Sequence, residues 1–273
     1  KNIIGSILKG FAQTETVVND YWSGLVTKWF RKPEVIMMAT TFGAFETIHA
    51  EAYSLLNETL GLENFAEFME DEATMAKIEN LTAIRDSFNS KTDTHEIAKS
   101  LAIFSAFTEG VNLFSSFAVL LSFKMRNKLK GVGQIVEWSI RDESLHSEAG
   151  CWLFRTLIEE NPDLKTPELE AAINEAALLS LQLELNFIDK VYELGDLEGC
   201  SKYDLQNFIK NRVNTKLSDL GYRPIILDVD MTAVKNMKWF DSLSAGKQHT
   251  DFFANRVTNY SKGHIEWDST SIF

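Results

Sequence analysis

Cysteine is scarce: Cys151 and Cys200 are the only two in 273 residues, with no CxxC pair and no cluster. That excludes a disulfide scaffold and a thiolate metal knuckle, and it fits a reducing compartment. Proline is nearly as rare, and Pro33, Pro162, Pro167 and Pro224 leave long uninterrupted segments between them. No GxGxxG or P-loop pattern occurs, so the chain carries no sequence mark of its own for nucleotide binding. Alternating runs joined by hairpin turns are also missing, which argues against a β fold. The longest strongly apolar run, 113–123, is broken by serines and too short to span a bilayer. No signal-peptide layout opens the chain, which begins at Lys1 rather than Met. Positive charge is outnumbered, with 27 Lys and Arg against 39 Asp and Glu, a net of −12. Nucleic acid and anionic membrane are therefore poor partners. The expectation is a soluble, cytoplasmic protein.

What is present is 45% hydrophobic sequence, enough for a substantial core. Its periodicity predicts helices over 4–30, 33–60, 94–129, 134–160, 166–194 and 201–220, with shorter pieces at 64–70 and 73–90. The 94–129 segment is apolar nearly all round, which marks a central, buried helix. Gly131 and Gly133 are read as the break after it. Thr166-Pro167-Glu168 is a strong start: a capping hydroxyl, proline in the first turn, then acid. After Gly221-Tyr222-Arg223-Pro224 the pattern becomes mixed loop and short helix. No repeat or linker appears, so an all-α bundle in one domain over 1–273 is expected.

A few polar residues sit where a core is expected. Glu46 and His49 lie three apart in a segment otherwise fit for burial, and Glu143 and His146 repeat that spacing on another long helix. The remaining histidines, His95, His249 and His264, have Thr92, Gly246 and Ser261 three residues earlier. One Glu-x-x-His is weak evidence, because surface helices are rich in both residues. Glu109 stands at the heart of the most apolar helix, where an isolated carboxylate would cost several kcal/mol or become protonated. Glu15 is the best candidate on the first helix, although taken alone it reads rather as an ordinary solvated acid.

Taken jointly, two helices give one glutamate each and two give a Glu-x-x-His each. That is the constellation of ferritin-like dinuclear carboxylate proteins. Four carboxylates roughly neutralise two divalent cations, and oxygen donors with two imidazoles suit iron or manganese better than zinc. Tyr53, four residues after His49, shares that helix face. Spacing leaves it open between a core tyrosine with a bonded hydroxyl and a phenol oxidised by the metal pair.

These segments resemble the radical-generating small subunit of class I ribonucleotide reductase. The stretch from Glu46 to Tyr53 is similar to that family's ligand-helix motif. Phe11-Ala12-Gln13-Thr14-Glu15, Glu109-Gly110-Val111-Asn112 and Arg141-Asp142-Glu143-Ser144-Leu145-His146 resemble its other ligand segments in order and separation. The stretch from Phe252 to Tyr260 is close to its C-terminal signature. The resemblance implies a ferritin-like fold in which Glu15, Glu46, His49, Glu109, Glu143 and His146 hold two metals. It further implies that Tyr53 carries a radical made with dioxygen, that Asp142 bonds to His49, and that Tyr260 relays the oxidising equivalent to the large subunit. A homodimer, and docking of the tail at 261–273 onto the large subunit, are implied as well. The family usually has aspartate where this chain has Glu15. Glutamate there is familiar from a manganese–iron subgroup that lacks the radical tyrosine. Di-iron is therefore expected, with manganese–iron and dimanganese as alternatives. No tryptophan precedes Glu15, whereas the family's relay tryptophan does, so either an N-terminal segment is expected to be missing or the path differs here. The runner-up is another ferritin-like oxidase acting on a small molecule; iron storage and a metal-free bundle are weaker readings.

Overall fold

The computed structural model describes residues 2–62, 71–193 and 195–244. Helix α1 (Asn2–Asn19) runs on through π-helical turns at Asp20–Val26 to a last turn at Thr27–Trp29. Helices α2 (Pro33–Thr59) and α3 (Glu72–Asp86) follow, the first entered through Pro33. Helix α4 (Thr94–Ile103) passes into π turns at Phe104–Thr108, and α5 is Phe114–Met125. Then come α6 (Lys130–Glu160), α7 (Pro167–Glu193), α8 (Lys202–Asp219), α9 (Met231–Asn236) and α10 (Lys238–Ser244). Among the described residues the only β pairing is an isolated bridge between Leu197 and Cys200. The helix starts have physical causes: Asp71, Asp93 and Ser201 each cap an orphan backbone N–H. Thr166 does the same for Leu169, as its sequence predicts.

Helices α1, α2, α4 and α6 form the central four, with α7 and α8 packed outside them. Phe104, Phe114, Phe117 and Leu101 are among the largest fully buried side chains, so the segment expected to be central is central. Both cysteines are free and buried. The expected helix at 64–70, and Tyr260 with the 261–273 tail, lie outside the described residues. No helix among the described residues is long and apolar enough to cross a membrane.

Two sequence expectations need correction. The predicted continuous helix over 94–129 is interrupted. The N–H groups of Glu109 and Asn112 donate to carbonyls five residues back, on Phe104 and Phe107. Such wide turns redirect every side chain that follows, and here they deliver Glu109. Gly110 permits the close approach this needs: a Cβ there would meet Ser147 Oγ at 2.7 Å and Lys216 Cδ at 2.8 Å. Arg212 fixes the turn by donating to the Gly110 carbonyl while stacking on Phe114. The second correction concerns Gly131 and Gly133, which lie inside α6 rather than before it. The break falls at Asn127 and Leu129, both left-handed at φ 64° and 47°. Gly133 is there for packing, because a Cβ would strike Lys124 Cδ at 2.7 Å.

Candidate metal centre

Burial defines the site first. Glu15, Glu46, Glu109, Glu143 and His146 are fully buried, and His49 is 5% exposed. Their ligand atoms form two overlapping groups, each with atoms within 4.8 Å of one another. One holds Glu15, Glu46, His49 and Glu143; the other holds Glu46, Glu109, Glu143 and His146. Glu46 and Glu143 belong to both. All six candidate metal residues therefore converge, in two positions that share two carboxylates.

The convergence follows from one antiparallel register between α2 and α6. Glu46 Oε1 lies 2.7 Å from His146 Nδ1, and His49 Nδ1 lies 3.1 Å from Glu143 Oε1. Tyr53 then donates to Ser139 Oγ at 2.7 Å. Equal Glu-x-x-His spacing on two antiparallel helices sets the glutamate of each beside the histidine of the other. Glu15 and Glu109 close the two ends from α1 and the π turn.

The polar atoms at this centre have few partners. Both oxygens of Glu15 and Glu143, one of Glu46 and one of Glu109, and both nitrogens of His146 make no hydrogen bond. Where Glu46 Oε1 and His146 Nδ1 approach to 2.7 Å, they lack hydrogen-bond alignment. Buried polar groups are ordinarily paired, and so is another deeply buried acid here. Glu184, which the sequence did not single out, accepts from the Ser115 hydroxyl at Oε2 and faces a cation, Lys77 Nζ, 2.5 Å from an Oε1 that makes no hydrogen bond. The unpaired oxygens and imidazole nitrogens are the donor set that two divalent cations require, so the residues fit a dinuclear metal group.

The electrostatics agree. Burial, then the charges of Glu143 and Glu46, raises the carboxyl of Glu15 well above its ordinary value. Burial and Glu143 raise Glu109 in the same way, and burial and Glu46 raise Glu143. For Glu46 burial acts upward too, but His146 and His49 overcome it and hold the group down at about 2. Burial opposes charging of His49, yet Asp142, Glu143 and Glu46 together raise its value. Its Nε2 lies 3.0 Å from Asp142 Oδ2. Donation of an Nε2 proton to that carboxylate would leave Nδ1 facing the centre.

Tyr53 is fully buried against Phe11, with ring centroids 4.9 Å apart. Burial, then the charge of Glu15, raises its phenol well above the ordinary range. Two neighbours were missed in the sequence. Trp22 Nε1 donates to Glu109 Oε1 at 2.5 Å, and Ser139 partners Tyr53. Both were signalled by spacing: Trp22 is seven residues after Glu15, and Ser139 is four before Glu143. Unlike His49, His146 has no hydrogen-bonded anchor. Its ring lies 4.2 Å from Phe42 and 6.0 Å from Phe45, stacked on the latter.

Fold and site together define a ferritin-like helical protein with a buried carboxylate–histidine cluster that fits two metal ions. Comparison narrows this. The family described as "Ribonucleotide reductase, small chain" matches residues 1–228. A protein of Invertebrate iridescent virus 3, named a probable ribonucleoside-diphosphate reductase small subunit, is 36% identical over 98% of this chain and 74% of its own length. Among solved structures, the "Ribonucleotide reductase R2 subunit from Clostridium botulinum" aligns with a TM-score of 0.76 and 20% identity. That alignment covers 89% of this chain and 76% of the other. The Streptococcus sanguinis dimanganese(II)-NrdF aligns with a TM-score of 0.72 and 21% identity, covering 87% and 82%. The chain belongs to the ribonucleotide reductase small-chain family and is an oxidoreductase subunit.

Proposed function

We propose that this chain generates the radical that the large subunit of ribonucleoside-diphosphate reductase uses to turn ribonucleotides into deoxyribonucleotides. The observation that carries the reading is the pair of overlapping ligand groups sharing Glu46 and Glu143, with their unpaired buried oxygens. Glu15 and His49 would hold one metal, Glu109 and His146 the other, and Glu46 and Glu143 both. Di-iron is the proposed pair; oxygen and imidazole donors suit manganese as well. When bound and reduced, the metal pair supplies an oxidant by reacting with dioxygen, sufficient to take one electron from Tyr53. The protein's part is to keep the phenol dry and close, held by Phe11 and Ser139. The phenolic proton leaves with that electron to the same oxidant, while Ser139 holds the hydroxyl. Asp142, half-buried and bonded to His49, begins the route outward.

The partner is the large subunit, engaged through Tyr260 and the 261–273 tail of a single-domain, cytoplasmic chain. A homodimer is supported by apolar residues left exposed on the two site helices. Trp138, Leu145 and Trp152 recur every seventh residue on α6, and Met37, Ile48 and Leu55 are exposed on α2.

Aerobic reconstitution of the iron-loaded protein is expected to give a tyrosyl electron paramagnetic resonance signal that Tyr53→Phe abolishes at unchanged metal content. A loaded parent without that signal would move the chemistry to the metals themselves. Deleting 261–273 is expected to end turnover with the large subunit while leaving metal content and a dimeric sedimentation mass intact. Surviving turnover removes the docking role, and a monomeric parent removes the dimer.

A further inference from the structure

Tyr53 has a specific partner that the ligand set does not account for. Its hydroxyl donates to Ser139 Oγ at 2.7 Å, with Tyr53 fully buried and Ser139 1% exposed. The pair is the third rung of the register that joins Glu46 to His146 and His49 to Glu143. The contact is therefore built into the same two helices as the ligands. A serine in mid-helix commonly bonds back to the carbonyl four residues earlier, as Ser144 does to Ile140. Ser139 instead serves as acceptor for the phenol across the helix interface.

We propose that Ser139 is the positioning residue of Tyr53, accepting the phenol's hydrogen bond in the reduced protein and turning to donate one to the phenoxyl oxygen after oxidation. This rests on the reading of Tyr53 as the oxidised residue. The chemistry of the hydroxyl carries it. A reduced phenol needs an acceptor, whereas a phenoxyl oxygen has only lone pairs and needs a donor. Of the side chains that could stand there, a carboxylate offers only acceptors and an alanine neither. A hydroxyl offers one donor and two acceptor sites on a freely rotating bond, so one residue serves both states without moving the helix. Ser139 gains and loses no electron or proton. The electron and the phenolic proton both leave to the oxidant described above.

Two measurements test this. In the metal-free protein, the tyrosine Fermi doublet in ultraviolet resonance Raman reports hydrogen bonding of the phenol. The Tyr53 contribution is isolated as the difference between the parent and Tyr53→Phe. Ser139→Ala is expected to shift that contribution away from a donor state, and Ser139→Thr to keep it. In the reconstituted protein, the tyrosyl radical is expected to show a proton hyperfine coupling that exchanges in heavy water. Ser139→Ala should lose the coupling and raise the gx component; Ser139→Thr should restore both. A doublet unchanged by Ser139→Ala, or a parent radical without exchangeable coupling, overturns the proposal. A reconstituted parent with no tyrosyl radical overturns the reading of Tyr53 and with it the donor half of the switch. The Raman result still decides the acceptor half.

Discussion

Glu143→Gln is expected to empty both metal positions, whereas Glu15→Gln is expected to leave one filled. Glu143 contributes to both ligand groups, and Glu15 to one. Without Glu15, the position formed by Glu46, Glu109, Glu143 and His146 keeps all its donors. Metal analysis after reconstitution should fall from about two ions per chain to well below one for Glu143→Gln, and to about one for Glu15→Gln. Turnover with the large subunit should drop to background in the first case. Unfolding is not the cause, because Glu143 is a repelled acid whose carboxyl burial and Glu46 hold above its ordinary value. Replacing it with a neutral amide of the same shape should leave the metal-free chain as stable as the parent, or more so. Equal metal loss in both variants would refute the shared-ligand geometry.

Metal removal is expected to lower thermal stability by an amount that grows with pH. Glu15, Glu109 and Glu143 have raised carboxyl values when folded, so the folded chain keeps protons that the unfolded chain releases above about pH 4.5. Their contribution is fully present below that pH and is lost as pH rises through the raised values. His49, also raised, acts in the same sense above the ordinary imidazole range. Glu46, held at about 2, acts oppositely, but its contribution is lost only as pH falls below the ordinary carboxylate range. Between pH 5 and 8 the metal-free melting temperature should therefore fall. Cations replace the missing protons. Two ions, each at a thousandfold excess over Kd, contribute about 8 kcal/mol, on the order of 15–25 °C in a chain of this size. Scanning calorimetry with and without metal at pH 5 and pH 8 measures this. A metal-induced shift that is equal at both pH values, or absent at pH 8, would sink the idea.

Much of this centre was legible because it is written in local spacing. Glu46 with His49, and Glu143 with His146, stand out because three residues is one helical turn and because their flanks are apolar. Glu109 stood out by cost, an acid amid phenylalanines. Glu15 was weaker: nothing in its own neighbourhood separates a ligand from a solvated acid, and only the joint pattern selected it. The π turns escaped because they keep helical composition and change only the bonding, from four residues back to five, so 94–129 read as continuous. Gly131 and Gly133 read as punctuation, because sequence does not reveal that Lys124 fills the space a side chain on Gly133 would need. Trp22 and Ser139 were missed for a different reason. Spacing sets each near a ligand on its own helix, but its partner, Glu109 or Tyr53, comes from a facing helix.

The two histidines match in sequence setting but differ in their surroundings. His49 is tethered by a hydrogen bond to Asp142, whose side chain is 35% exposed. His146 sits among Phe42, Phe45 and Trp22, with no hydrogen bond on either nitrogen. One end of the centre is thus wired toward solvent and the other is insulated. The matched pair of Glu-x-x-His segments is thus given a direction: of its two imidazoles, the hydrogen-bonded one is His49.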